Sequence, residues 1–414
     1  MFSRVIVAIL SIGWLTVQGQ AAPAPKDKPI AETIAAYESL GATYGGFAVE
    51  PIGYYVQFNG YVRFSAGKDA AAKSLPGFRF AKFPEGNLQR LPPVQVPFGL
   101  DLSGTKVTDV VLKAVKNLPN LVYLNLDGTK VTDMGLKELK DLQNLATLYL
   151  TVTPVTGAGL KELKDLKSLV ALNLCGTKVT DADLKELQNF KKLVTLHLGG
   201  TQVSDAGLKH LKNLPDLSFL SLSSLPVTDA GLKELQELKN LTSLDLGLTQ
   251  VTDTGLKELK EIKNLTSLNL IHTKVTDAGM KELKGLKNLA LLNLNSNAIT
   301  NVGLTELKDF KNLATLYLGD TKVTDAGLKE IKELKSLAFL SIYAVQVGNA
   351  GLKELNELKN LTRLILSETQ ITDAGLKELT NLKNLTSLDL TATEVTAAGV
   401  KELQKSLPKC KISR

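Results

Sequence analysis

The sequence predicts an α/β solenoid, with a parallel sheet on one side, short helices on the other, and about thirteen stacked layers in between. Three observations predict it. A leucine pattern first complete at Leu121 restarts at Leu145, Leu169, Leu193, Leu217, Leu241, Leu265, Leu289, Leu313, Leu337, Leu361 and Leu385, a fixed period of 24 residues. Within one period the apolar spacing changes from two residues to three. Between those two parts lies a polar turn built on Thr-Asp.

Numbered from its first leucine, a unit carries apolar residues at places 1, 4, 6, 11, 16, 19 and 22; in the unit from 145 these are Leu145, Leu148, Leu150, Val155, Leu160, Leu163 and Leu166. Places 4 and 6 alternate as a strand does, and places 16, 19 and 22 share one face of a short helix. In the turn, pairs such as Thr252 and Asp253 or Thr276 and Asp277 set side-chain oxygens where a helix start has free N–H groups. The aspartate also meets the positive end of the helix dipole. A polar pair such as Lys239 and Asn240 closes the helix, and the next strand begins.

A lone unit does not fold. Seven buried aliphatic side chains contribute roughly 10–20 kcal/mol, and ordering some two dozen residues costs about 1–2 kcal/mol each. Stacking resolves this, because each layer covers the leucines of the next.

The consensus L-x-x-L-x-L-x-x-T-x-V-T-D-A-G-L-x-x-L-x-x-L resembles the leucine-rich repeat, in its helix-containing form of bacterial exported proteins, with kinship to ribonuclease-inhibitor-like and F-box-associated arrays. The resemblance covers about three quarters of the chain. It implies a curved horseshoe and an interaction surface, and it assigns no ligand. The family usually has Asn or Cys at place 9, where this chain mostly has Thr (Thr129, Thr153, Thr177, Thr201, Thr249, Thr273, Thr321, Thr369, Thr393). A ladder of threonine hydroxyls bonded to backbone is therefore expected, broken at Leu225, Asn297 and Val345.

Taken in order, residues 1–21 read as an export signal: Arg4, an apolar run from Val5 to Val17, and Gly19-Gln20-Ala21 as a small-residue cleavage site. That run is too short to span a bilayer comfortably, so the mature chain is expected to lack a transmembrane segment and to reach the periplasm, cell surface or medium. Residues 22–30 form a flexible leader, and residues 31–97 an N-terminal cap. Within the cap, Ala31 to Leu40 has helical spacing and stops at Gly41; Asn59-Gly60 marks a β-hairpin. Its aromatics (Tyr54, Tyr55, Phe58, Tyr61, Phe64) either shield the open end of the array or form a small binding module. Lys68 to Pro97 reads as an irregular, proline-marked connection. The array runs 98–402 and a polar C-terminal cap 403–414, with Cys410 packed inside it.

The net charge of +7 sits largely on helices that interleave lysine with glutamate. Arginine is scarce and no single-sign stripe appears, so nucleic acid is not an expected partner. Cys175 and Cys410 lie too many layers apart for a disulfide. Asn-Leu-Thr at Asn240, Asn264, Asn360 and Asn384 is a consequence of the repeat junction rather than a glycosylation signal.

No catalytic constellation emerges. His197 and His272 are three layers apart, no metal-ligand spacing occurs, and Cys175 beside His197 lacks an orienting third group. Neither cofactor nor metal is expected. Places 3, 5, 7 and 8 should face the hollow side, where residues vary while the leucines do not. The expected partner-binding residues are Tyr149, His197, Phe219, Asp245, His272, Asn293, Tyr317, Asp320, Phe339, Tyr343 and Arg363. The sharpest grouping is Tyr317, Phe339, Tyr343 and Arg363 on three consecutive layers; Tyr123 and Tyr149 form a second. The sequence therefore points to a monomeric, non-catalytic scaffold that binds a protein or extended polymer. The alternatives are a structural or adhesive element of the envelope, or capture of an acidic glycan by the lysine-rich exterior.

Overall fold

The structure is a computed structural model describing residues 31–49, 62–84 and 91–414. The export signal, the leader, the Asn59-Gly60 turn and Tyr54, Tyr55, Phe58 and Tyr61 lie outside the described residues. The chain divides into two compact units, Met1–Leu225 and Pro226–Arg414, and the division falls where Leu225 replaces the ladder threonine.

In the first unit, helix α1 (Ala31–Ser39) ends as expected, with Gly41 at φ 88°, a left-handed conformation that glycine adopts freely. Strand β1 (Ala42–Val49) pairs antiparallel with β2 (Val62–Ala66) and with β3 (Leu75–Phe80). The stretch read as an irregular connection thus contains helix α2 (Lys68–Lys73) and β3. Pro76 is tolerated because it stands near the start of β3, before the parallel pairing with β4 (Phe98–Asp101) begins at Gly77. Parallel strands β5 (Leu121–Asn125), β6 (Thr147–Tyr149), β7 (Ala171–Asn173), β8 (Thr195–His197) and β9 (Phe219–Ser221) follow, one per repeat. Tyr37 of α1 stacks on Phe78 at 3.9 Å, and Phe78 meets Phe98 edge-on, so aromatic rings continue the leucine core beyond the first layer.

The second unit repeats the same ladder through β10 (Ser243–Asp245), β11 (Ser267–Asn269), β12 (Leu291–Asn293), β13 (Thr315–Tyr317), β14 (Phe339–Ser341), β15 (Arg363–Ile365), β16 (Ser387–Asp389) and β17 (Lys411–Ser413). Every pairing is parallel and in register, place 3 on place 3 and place 5 on place 5. Both units are leucine-rich-repeat solenoids with open parallel sheets. The leucines at places 1, 4, 6, 16, 19 and 22 are buried almost without exception.

In many layers the helical half is tighter than an α-helix, although Asp109–Val115, Asp325–Ile331 and Ala397–Ser406 stay α-helical. One α turn, such as Asp253–Leu256, passes into a 3-10 segment, Lys257–Glu261, and Asp181–Asn189 is 3-10 throughout. Three residues per turn bring places 16, 19 and 22 into line, which is what an apolar spacing of three demands.

The threonine ladder is present. Thr105, Thr129, Thr153, Thr177, Thr201, Thr249, Thr273, Thr321, Thr369 and Thr393 each donate Oγ1–H to the carbonyl three residues back, at 2.5 to 3.0 Å. Asn297 does more than they do. Its amide donates to the carbonyls of Leu270, Leu294 and Asn295, and its oxygen accepts from Thr273 N–H and Oγ1–H in the preceding layer.

The Thr-Asp turn works between layers as well as within them. Thr132 caps its own helix by accepting from Met134 N–H, as expected. Its own N–H and Oγ1–H then donate to the two oxygens of Asp109 in the layer before, both at 2.7 Å. The same clasp joins Thr156 to Asp133, Ser204 to Asp181, Thr252 to Asp229, Thr276 to Asp253, Thr300 to Asp277 and Thr396 to Asp373. Glycine at place 15 makes room for it: a Cβ on Gly255 would fall 2.3 Å from Asp229 Oδ1, and one on Gly279 2.4 Å from Asp253 Oδ1.

One layer reverses the arrangement. Gly157 stands where the aspartate belongs, and Asp183 stands where the next glycine belongs. Asp183 fills the vacated space and accepts from Thr180 N–H at 2.9 Å and Oγ1–H at 2.7 Å, a capping box within its own turn.

Candidate functional site

Because the leucines at places 4 and 6 point into the core, places 3 and 5 must face the other way, and place 7 follows them onto this strand face. Place 8 turns the chain out of the strand in a left-handed conformation. In the first unit glycine often takes it (Gly104, Gly128, Gly176, Gly200), with Val152 at φ 54° and Ser224 at 58° as exceptions. In the second unit Leu248, His272, Ser296, Asp320, Ala344, Glu368 and Ala392 all occupy it at φ 51 to 59°. Side chains are held there despite a cost of about 1–2 kcal/mol each.

The second unit brings the sharpest expected grouping together. Tyr317 and Phe339 lie with ring centroids 4.8 Å apart, and the Arg363 guanidinium sits 4.8 Å above the Phe339 ring, a cation–π contact. The register explains the contact, since Phe339 and Arg363 are place-3 partners on β14 and β15. Tyr343 joins from place 7 because Gly319 leaves its ring a seat: a Cβ on Gly319 would fall 2.1 Å from Tyr343 Cε1. Phe339 is buried, whereas Tyr343 and Arg363 are half-exposed and form the outward part of the cluster.

In the first unit the Tyr123 and Tyr149 pair is part of a longer row. Phe64, Phe47, Tyr123 and Tyr149 follow one another at 5.0, 4.8 and 5.6 Å. Phe47 crosses β3 and β4 because Gly77 and Gly99 leave room beneath it. Phe47 did not emerge from the sequence; the two strand glycines are the signal that could have found it. Phe47, Tyr123 and Tyr149 are all buried, so this row is packed against itself.

The remaining expected residues separate by exposure. His272 and Asp320 stand exposed at place 8, and Phe219 is half-buried. His197 is buried against Phe219, ring centroids 4.8 Å apart, and burial pulls its pKa down to about 4, which keeps it neutral. Asp245 and Asn293 are buried and accept from Gly247 N–H and Asn295 N–H two residues on, so both shape the bend after their strands. Cys175 follows β7 two residues beyond the register partner of His197. Burial raises the Asp127 carboxyl to about 6, against the lowering effect of its bonds to Thr151. Among the described residues no group of three His, Cys, Asp or Glu side chains is placed to hold a metal ion.

On the helix side, charge is compensated from layer to layer. Lys116 pairs with Glu138, Lys284 with Glu306 and Lys335 with Glu357, at 3.0, 2.6 and 3.4 Å. The amides of Asn264, Asn360 and Asn384 donate to carbonyls of the preceding layer, so their place in the Asn-Leu-Thr triplets is structural. Among the described residues no helix is long and apolar enough to cross a membrane.

Family models described as leucine rich repeat match residues 263–323, 237–260 and 357–379. An internalin (inlF) from Listeria monocytogenes is similar in structure, with 27% identity and a TM-score of 0.58, over 77% of this chain and 86% of the internalin. A leucine-rich-repeat protein of Leptospira interrogans is 27% identical with a TM-score of 0.47, over 79% of this chain and 93% of its own. No curated protein matches the chain.

Proposed function

The chain is a leucine-rich repeat protein, and from that premise we propose that it is an exported, non-catalytic scaffold whose strand face in the second unit receives a protein partner. Tyr343 and Arg363 are the residues we assign to the contact, with Tyr317 and Phe339 holding them in place. His272 and Asp320 are further exposed positions on the same kind of face and Phe219 a half-buried one, while Tyr149, His197, Asp245 and Asn293 are buried.

One observation carries this reading: Tyr317, Phe339 and Arg363 pack against one another across three successive strands, and Tyr343 is seated over Gly319. A partly exposed aromatic and an arginine on a rigid support are the residue types in which binding energy concentrates. Neither is needed to close the core, which the leucines fill. Helix-side lysines paired with glutamates of the next layer make that side a poorer candidate.

The test is capture of a partner from the native cell envelope by the mature chain, with Tyr343→Ala and Arg363→Ala compared at equal folded stability. Each substitution is expected to weaken capture at least tenfold, the effect of an interface hot spot of about 1.4 kcal/mol or more. Unchanged capture by both variants refutes the assignment.

A further inference from the structure

The strand face and the rest of the chain carry opposite charge. The sequence has 49 lysines and arginines against 42 acids, a net charge of +7. Yet no lysine occupies place 3, 5, 7 or 8 in any repeat from Gly99 to Ala392. In the second unit those places hold Asp245, Asp320, Glu368 and Asp389 against a single cation, Arg363. Lysine fills the helix side of every layer, so its absence here is a property of this face and not of the composition.

The exposed acids converge on the aromatic cluster. Asp320, Ala344 and Glu368 occupy place 8 in three successive layers, all left-handed, so the backbone positions of the two acids stand ~10 Å apart with Ala344 between them. Tyr343 adjoins this row, its carbonyl accepting from Asp320 N–H at 2.9 Å. Asp320 and Glu368 are exposed, and neither side chain makes a hydrogen bond or ion pair among the described residues. Asp389 lies one strand beyond Arg363, bonded to Thr391 N–H and Oγ1–H. A half-exposed aromatic ring seated beside Asp320, with the second unpartnered carboxylate of Glu368 two layers on, suits an ammonium or guanidinium, which the ring face attracts and the acids neutralise. The ring of Phe339 already holds the Arg363 guanidinium in this way.

We propose that the partner of this face is a basic polypeptide segment, which places a lysine or arginine side chain over Tyr343 between Asp320 and Glu368. This rests on the strand-face reading above and narrows it. The helix side balances its lysines with glutamates, so the acidic excess that attracts such a segment lies on the face that carries no lysine.

The probe is a fluorescein-labelled decalysine peptide, with decaglutamate as its counterpart, titrated by fluorescence anisotropy against the full mature chain at low and physiological salt. Decalysine should bind with an affinity that falls as salt rises. Asp320→Asn with Glu368→Gln should weaken it roughly two- to thirtyfold, the range of two exposed ion pairs. The helix-side double variant Glu261→Gln with Glu333→Gln removes the same charge and should leave it unchanged. Tighter binding of decaglutamate than of decalysine, or an equal loss in both double variants, overturns the proposal. Asn favours the left-handed conformation at 320, which protects folding; thermal unfolding checks this. The two readings fail separately in the capture assay. Dependence on Tyr343 and Arg363 without dependence on Asp320 and Glu368 refutes the basic partner and keeps the docking face, whereas independence of all four refutes both.

Discussion

Exchanging Gly157 and Asp183 tests whether layers are joined by the carboxylate clasp or merely by leucine packing. In Asp183→Gly, Thr180 loses acceptors for its N–H and Oγ1–H, and Gly157 in the preceding layer offers none. A cap contributes about 0.5–2 kcal/mol and a hydrogen bond to a charged group about 1.5–3, so a loss of about 2 kcal/mol is expected at this half-buried site. In Gly157→Asp, the new Cβ falls 1.8 Å from Asp183 Oδ1 and two carboxylates compete for one space. Overpacking of this kind costs about 1–3 kcal/mol, and like-charge repulsion adds to it. The double variant rebuilds the arrangement that joins Thr156 to Asp133, so it should lie within about 0.5 kcal/mol of the parent. Urea unfolding of all four proteins, followed by far-ultraviolet circular dichroism, closes the cycle. The expected interaction energy is about 3–4 kcal/mol, at or above the top of the range for residues in contact. A double variant as unstable as the sum of its singles refutes the clasp as the joint between layers.

Val152, exposed at φ 54°, should gain roughly 0.5–1 kcal/mol on Val152→Gly, relief of left-handed strain less the added backbone entropy, read as a higher urea midpoint. Two titrating groups in the first unit oppose each other. His197, lowered from 6.5 to about 4, contributes stability that is complete above pH 6.5 and lost as pH falls through 4, about 3 kcal/mol in all. Asp127, raised from 3.8 to about 6, contributes stability that is complete below pH 3.8 and lost as pH rises through 6, again about 3 kcal/mol. The contribution of the pair is therefore nearly level between pH 4 and 6. Relative to the parent, His197→Phe should lose stability as pH rises across that window and Asp127→Asn should gain it, slopes that urea titrations at several pH values read directly. Gly319→Ala pushes the Tyr343 ring from its seat without altering the tyrosine, so partner capture should fall as it does in Tyr343→Ala. Capture at the parent level would show that the seat does not matter.

Period and local chemistry made most of the array legible. The leucines fixed the layers, and Thr129 and its equivalents bond three residues back, which requires knowledge of one turn only. Contacts reaching 23 residues onward were not legible in the same way. The aspartate of Thr-Asp reads as a helix-start residue, and its actual partner is the next threonine along the stack, visible only once register is known. The recurrent glycine at place 15 likewise reads in sequence as part of the helix start, although it leaves space for a neighbour's carboxylate. Pro76, Pro84, Pro92 and Pro93 concealed α2 and β3, because proline at a strand start looks the same in sequence as proline in a loop. Within the site, the Tyr317, Phe339, Tyr343 and Arg363 grouping followed from layer arithmetic. Burial of His197, Asp245 and Asn293 did not, since strand-face side chains also cover one another.

The clasp constrains how such a gene can lengthen or shorten. Unequal recombination that removes one 24-residue module from between Asp229 and Thr300 rejoins an aspartate to a threonine of identical geometry, and the product is one storey shorter. A crossover that parts Gly157 from Asp183 instead leaves a vacancy on one side of the junction or a collision on the other. Those two modules are therefore inherited as a couplet, while those from Asp229 to Thr300 are free to be dealt singly.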